Sequence, residues 1–143
     1  MPRRFLILQG PNLNLLGKRE PTVYGSRSLE DLEADLEEWT KTRDMELEFV
    51  QSNSEGDLIK ALHEAEGRLH GVVLNPGGFT HSSVALRDAI TALTISVVEV
   101  HLSNIHGRES WRRHSMTAAA CRGLISGFGE EGYRLALLHL AGL

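Results

Sequence analysis

Gly71-Val72-Val73-Leu74-Asn75-Pro76-Gly77-Gly78 decides the fold. A continuous apolar run of strand length is the pattern of a strand buried on both faces. Asn-Pro-Gly-Gly ends it sharply, and an amphipathic helix follows from about Ser83 to Leu93. Outward in both directions the same unit recurs. Arg4 to Leu8 reads as a buried strand. Ser28 opens a helix, with Asp31 three residues on as a capping box and Leu29, Leu32, Leu36 and Trp39 as its apolar face. Met45 to Gln51 is a strand. Ser54 with Asp57 caps a helix carrying Leu58, Ile59, Leu62, Ala65 and Leu69. Ile95 to Leu102 and Gly123 to Ser126 are strands four and five, and Glu130 to Leu140 closes the chain as a helix.

Strands that alternate with amphipathic helices imply βαβ units. The expected fold is α/β, a flavodoxin-like doubly wound five-stranded parallel sheet with helices on both faces, with residues 1–143 forming a single catalytic domain. Ligands of such sheets sit beyond the carboxyl ends of the strands. Function is therefore expected in the loops Gln9 to Ser26, Pro76 to Ser82 and Ser103 to Ser115.

Composition narrows the classes. The net charge is −4, and there is one Cys, which excludes a disulfide framework or a Cys-rich zinc site and fits a cytoplasmic protein. No apolar run is long enough to span a bilayer, and the totals do not suit a nucleic-acid binder. Charge is uneven. Residues 28–38 hold six of the nineteen acids and no base, leaving thirteen acids against fifteen bases elsewhere. An acidic helix face thus masks a remainder able to receive an anion.

The first loop, from Gly10 to Ser26, has six residues between Gly10 and Gly17, and Arg19 follows Lys18, so it is not a phosphate loop. Its polar part from Lys18 to Ser26 reads as a lid. Tyr24 lies there, and a phenol beside arginines serves as a general base near neutral pH. In the second loop, Gly77 and Gly78 permit close backbone approach to a ligand, while Asn75 and His81 offer polar contacts. Asp88, in the following helix, reads alone as a surface charge.

The third element is Glu99-Val100-His101-Leu102-Ser103-Asn104-Ile105-His106-Gly107-Arg108-Glu109-Ser110-Trp111-Arg112-Arg113-His114. Residues i and i+2 of a strand share a face, which pairs Glu99 with His101. A carboxylate beside an imidazole fixes its tautomer and favours the protonated form, as a general acid requires. Arg108 and Arg112, four apart, share a face if this segment is helical. The spacing of His101, His106 and His114 matches no zinc pattern, and the arginines would repel a cation. No metal site is expected. A non-enzymatic phosphate- or nucleotide-binding module is the alternative, although Gly10-Pro11-Asn12 breaks the dinucleotide fingerprint.

Together, Gly10-Pro11-Asn12-Leu13-Asn14-Leu15-Leu16-Gly17, Arg19-Glu20-Pro21, Tyr24-Gly25, Asn75-Pro76-Gly77-Gly78, Glu99-Val100-His101-Leu102-Ser103-Asn104 and Arg108-Glu109 resemble the type II 3-dehydroquinate dehydratases, over nearly the whole chain. The resemblance implies a hydro-lyase of the shikimate pathway, which makes aromatic amino acids. It would eliminate water in the anti sense from 3-dehydroquinate, through an enolate, with no cofactor. It implies Tyr24 as proton acceptor, His101 as proton donor and Arg19 as transition-state stabiliser. Asn12 would position a water near the enolate oxygen, and Arg108 would lower the pKa of Tyr24. Substrate contacts transfer to Asn75, His81, Asp88, the Leu102–Ser103 backbone and Arg112. Asp88 would come from a neighbouring subunit of a dodecamer built from trimers. Gly107, Trp111 and Met116 depart from the usual alanine, smaller aromatic and tyrosine of the family.

Overall fold

A computed structural model describes residues 1–18, 22 and 26–142. Five strands form one parallel sheet: β1 (Arg3–Gln9), β2 (Met45–Gln51), β3 (Gly71–Asn75), β4 (Ser96–His101) and β5 (Gly123–Ser126), in the order β2-β1-β3-β4-β5. The connecting helices are α1 (Leu29–Thr40), α2 (Glu55–Ala65), α3 (Val84–Thr91) and α4 (Glu131–Leu140). This is the doubly wound order expected from the alternation of patterns, and it is flavodoxin-like.

Side-chain alternation along the strands divides the core into two layers. Phe5, Ile7, Val73, Val98 and Val100 face α1 and α4, meeting Leu29, Leu32, Leu36, Tyr133, Ala136 and Leu137. Leu6, Leu8, Val72, Leu74 and Val97 face α2 and α3, meeting Leu58, Leu62, Leu86 and Ile90. Each of these apolar faces follows from helical spacing in the sequence.

Local chemistry fixes the helix starts. Ser28 and Asp31 form the full reciprocal capping box of α1, and the Ser54 and Ser83 side chains accept backbone N–H bonds at α2 and α3. Helix α3 is shorter than its apolar pattern, because the chain leaves it to be gripped by α2's trailing end. The Glu66 carboxylate accepts from the backbone N–H of Thr94 at 2.9 Å and of Ile95 at 3.3 Å, and β4 begins only at Ser96. These backbone donors hold the Glu66 carboxyl below its ordinary pKa, the Thr94 N–H most of all. Among the described residues, no helix is long and apolar enough to cross a membrane.

Candidate active site

The carboxyl ends of β1, β3 and β4 open into one cavity of about 360 Å³. Residues 11–13, 75–82 and 101–112 contribute its walls, so the three loops singled out in the sequence do meet there. The wall after β3 depends on glycine. Gly77 has φ +60°, and a Cβ there would lie 2.9 Å from the Pro11 carbonyl oxygen. The wall after β1 turns at Asn12, with φ 69°, a left-handed conformation that Asn tolerates better than most residues. The Asn12 N–H donates to the Asn53 side chain at 2.9 Å.

Glu99 and His101 project from β4 on the same side, as the period of two requires. His101 Nε2 lies 2.8 Å from Glu99 Oε2. Glu99 is fully buried and His101 nearly so. Two hydroxyls complete the carboxylate's shell. Ser115 Oγ donates to Oε2 at 2.8 Å, and Thr117 Oγ1 donates to Oε1. With these donors in place the carboxylate acts only as acceptor, so His101 carries its proton on Nε2. Thr80 Oγ1 is 3.3 Å from the same nitrogen. The Nδ1 atom, which has no hydrogen-bond partner among the described residues, remains to serve the cavity.

Basic groups line the opposite wall. Arg108 donates to Ser103 Oγ at 3.4 Å. Arg112 is held by the Glu109 carboxylate and lies over the Trp111 ring, 4.2 Å from its centroid. That bond to Arg112 holds the Glu109 carboxyl below the usual range. The His81 and Trp111 rings meet nearly perpendicular, with centroids 6.1 Å apart. His81 Nδ1–H donates to the His114 carbonyl at 2.8 Å, which leaves Nε2 as its other ring nitrogen. The condition under which Arg108 and Arg112 would share one helix face does not hold. Ile105–Gly107 and Ser110–Arg112 are separate 3-10 turns, and Arg108 between them is extended. Asn104 caps the first turn through its side chain, and the chain then straightens, so both arginines reach the cavity by loop geometry.

Asn75, His81, His101, Leu102, Ser103, Arg108, Arg112 and Asn12 therefore converge. Asp88 does not: it is exposed on α3 and absent from the cavity wall. Arg19 and Tyr24 lie outside the described residues. No sequence signal points to Thr80, Ser115 and Thr117. Small hydroxyl residues carry no motif, and only tertiary packing sets them around Glu99 and His101.

A flavodoxin-like sheet with a histidine–carboxylate pair facing arginines at its switch point defines an α/β enzyme that moves protons on a small anion. The particular family follows from comparison: the chain belongs to the class II dehydroquinases, whose family model matches residues 3–141. It is 60% identical over 136 residues to the 3-dehydroquinate dehydratase of Bacillus pumilus, covering 95% of this chain and 92% of that one. It is 51% identical over 141 residues to 3-dehydroquinate dehydratase 2 of Pseudomonas aeruginosa, covering 99% and 95%. The crystal structure of type II dehydroquinase from Butyrivibrio crossotus superposes with a TM-score of 0.96 at 41% identity, over 98% of each chain.

Proposed function

We propose that this chain is a 3-dehydroquinate dehydratase acting in the shikimate pathway. It removes water from 3-dehydroquinate in the anti sense and forms 3-dehydroshikimate. Tyr24 takes the proton alpha to the ketone, giving an enolate. His101 then donates a proton to the departing hydroxyl, which leaves as water. The steps are redox-neutral and need no metal, nucleotide or covalent intermediate. The observation that carries this reading is the 2.8 Å Glu99–His101 pair at the rim of an arginine-lined cavity.

In this mechanism Glu99 fixes the His101 tautomer, so that the proton to be transferred sits on Nδ1 of the imidazolium. Arg112, His81, Asn75 and the Leu102–Ser103 backbone hold the substrate's carboxylate and hydroxyls. Asn12 positions a water near the enolate oxygen, and Arg19 stabilises the charge that develops there. Arg108 lowers the pKa of Tyr24. The exposed position of Asp88 fits a contact to the site of a second subunit in a dodecamer built from trimers, working in the cytoplasm.

The test is enone absorbance on mixing purified protein with 3-dehydroquinate in the presence of chelator. Wild type is expected to turn over, and Tyr24→Phe to fold normally while losing most of kcat. A silent wild type, or a Tyr24→Phe variant with near-normal kcat, would reject the assignment.

A further inference from the structure

Tyr133 is the largest fully buried side chain among the described residues, and nothing in the proposed chemistry employs it. It stands on α4, in the layer opposite the one that holds Glu99. Its hydroxyl donates to Gln9 Oε1 at 2.8 Å and accepts from Asn75 Nδ2 at 3.1 Å. At its other end the Asn75 amide accepts the Gly77 N–H on Oδ1, also at 3.1 Å. The four groups form a chain with a single direction: Gly77 N–H to Asn75 oxygen, Asn75 N–H to Tyr133 oxygen, Tyr133 O–H to Gln9 oxygen.

Direction has a consequence for the cavity. Turning the Asn75 amide over would set its NH2 against the Gly77 N–H and its oxygen where the Tyr133 hydroxyl accepts. The Gly77 N–H, a donor only, therefore sets the amide orientation, and the Tyr133 hydroxyl, oriented by Gln9, holds its Nδ2 end. With one N–H committed to Tyr133, Asn75 retains a second N–H donor for a bound molecule. We propose that Tyr133 is a positioning residue for substrate binding: it holds Asn75 so that the amide presents an N–H to an oxygen acceptor of the ligand. This rests on the dehydratase reading, in which that acceptor is a substrate hydroxyl or carbonyl oxygen.

Gln9 supports the assignment. It is fully buried at the carboxyl end of β1, and its Nε2 has no hydrogen-bond partner among the described residues. An unpaired buried amide is costly, and an apolar side chain of that shape would avoid the penalty. What Gln9 supplies is the acceptor that orients the Tyr133 hydroxyl. Burial pushes the phenol up to about 12, against the opposing hydrogen bonds of Asn75 and Gln9, so the group remains an O–H donor across the working range.

The experiment is steady-state enone formation by Tyr133→Phe, by Asn75→Ala, by their combination and by Gln9→Met/Tyr133→Phe, with urea unfolding of each. Tyr133→Phe should raise KM about tenfold and leave kcat within about twofold, the pattern of a lost binding contact. In the Asn75→Ala background the same change should leave KM unaltered, because the two residues act as one unit. Gln9→Met/Tyr133→Phe should recover stability relative to Tyr133→Phe without recovering KM. The double variant also carries the KM comparison should Tyr133→Phe alone fail to fold. An unchanged KM overturns the proposal, as does an equal KM rise with and without Asn75, or a KM that recovers along with stability. Loss of turnover in wild type itself overturns the dehydratase reading and this proposal with it. Wild-type turnover with an unaffected KM in Tyr133→Phe overturns this proposal alone.

Discussion

Glu99 Oε2 and His101 Nε2 lie 2.8 Å apart, two residues along one strand, with the carboxylate fully enclosed and the imidazole at the cavity rim. The strand supplies the alignment without a loop, so the pair is rigid by construction. The sheet makes use of both its faces: Glu99 orients His101 from the α2–α3 layer, while Tyr133 engages Asn75 from the α1–α4 layer.

Glu99→Gln should therefore keep the shape of the site and lose its chemistry. The neutral amide still meets His101 Nε2 but removes the negative charge that favours the imidazolium, the form that carries the transferable proton on Nδ1. We expect kcat to fall about 10²-fold or more, as when a general acid is disabled, with KM changed much less. A kcat within threefold of wild type would show that the pair is merely structural.

Thr117→Val tests the support of the same carboxylate. Thr117 is fully buried and donates to Glu99 Oε1. Valine keeps the shape and removes the donor, leaving a buried carboxylate oxygen without its hydroxyl. The expected loss is about 1–3 kcal/mol of unfolding free energy, read from the urea midpoint. An unaltered midpoint would mean that Glu99 draws nothing from this hydroxyl.

The pairing of Glu99 with His101 was legible in the sequence because a period of two is a local rule. So was the location of the cavity, because it follows from strand order alone. Whether Arg108 and Arg112 share a helix face stays conditional in the sequence, since a four-residue spacing cannot reveal that Arg108 is extended between two short turns. Nothing in the sequence ties Tyr133 to the site, because its partners Asn75 and Gln9 lie 58 and 124 residues away. Contacts of that kind depend on how α4 docks on the sheet, which side-chain periodicity does not specify. The hydroxyls around Glu99 escaped notice for the same reason.

Trp111 should act on binding rather than on turnover. Its ring carries the Arg112 guanidinium at 4.2 Å and packs nearly perpendicular to His81. A partly exposed stack of this kind contributes about 0.5–1 kcal/mol. Trp111→Ala is expected to raise KM several-fold, with kcat and melting temperature close to wild type, and Trp111→Phe to retain most of the affinity. Should kcat fall instead while KM holds, the ring would be acting on the chemical step.

One buried and one partly buried acid, Tyr133 and Cys121, give the protein a specific weakness in alkali. Burial, with a smaller push from the Glu99 charge, raises the Cys121 thiol from about 9 to about 12. Burial likewise raises the Tyr133 phenol from about 10 to about 12. Between pH 9 and 12 the unfolded chain therefore loses protons that the folded chain keeps, so unfolding free energy falls as pH rises. The contribution of these groups is complete below pH 9 and has gone by pH 12, a few kcal/mol in all. Urea midpoints measured from pH 8 to 11 should decline, and the decline should be shallower in Cys121→Ala and in Tyr133→Phe than in wild type. In the same range the folded thiol should react far more slowly with iodoacetamide than the unfolded one. Identical slopes in wild type and both variants would show that neither group titrates differently on unfolding.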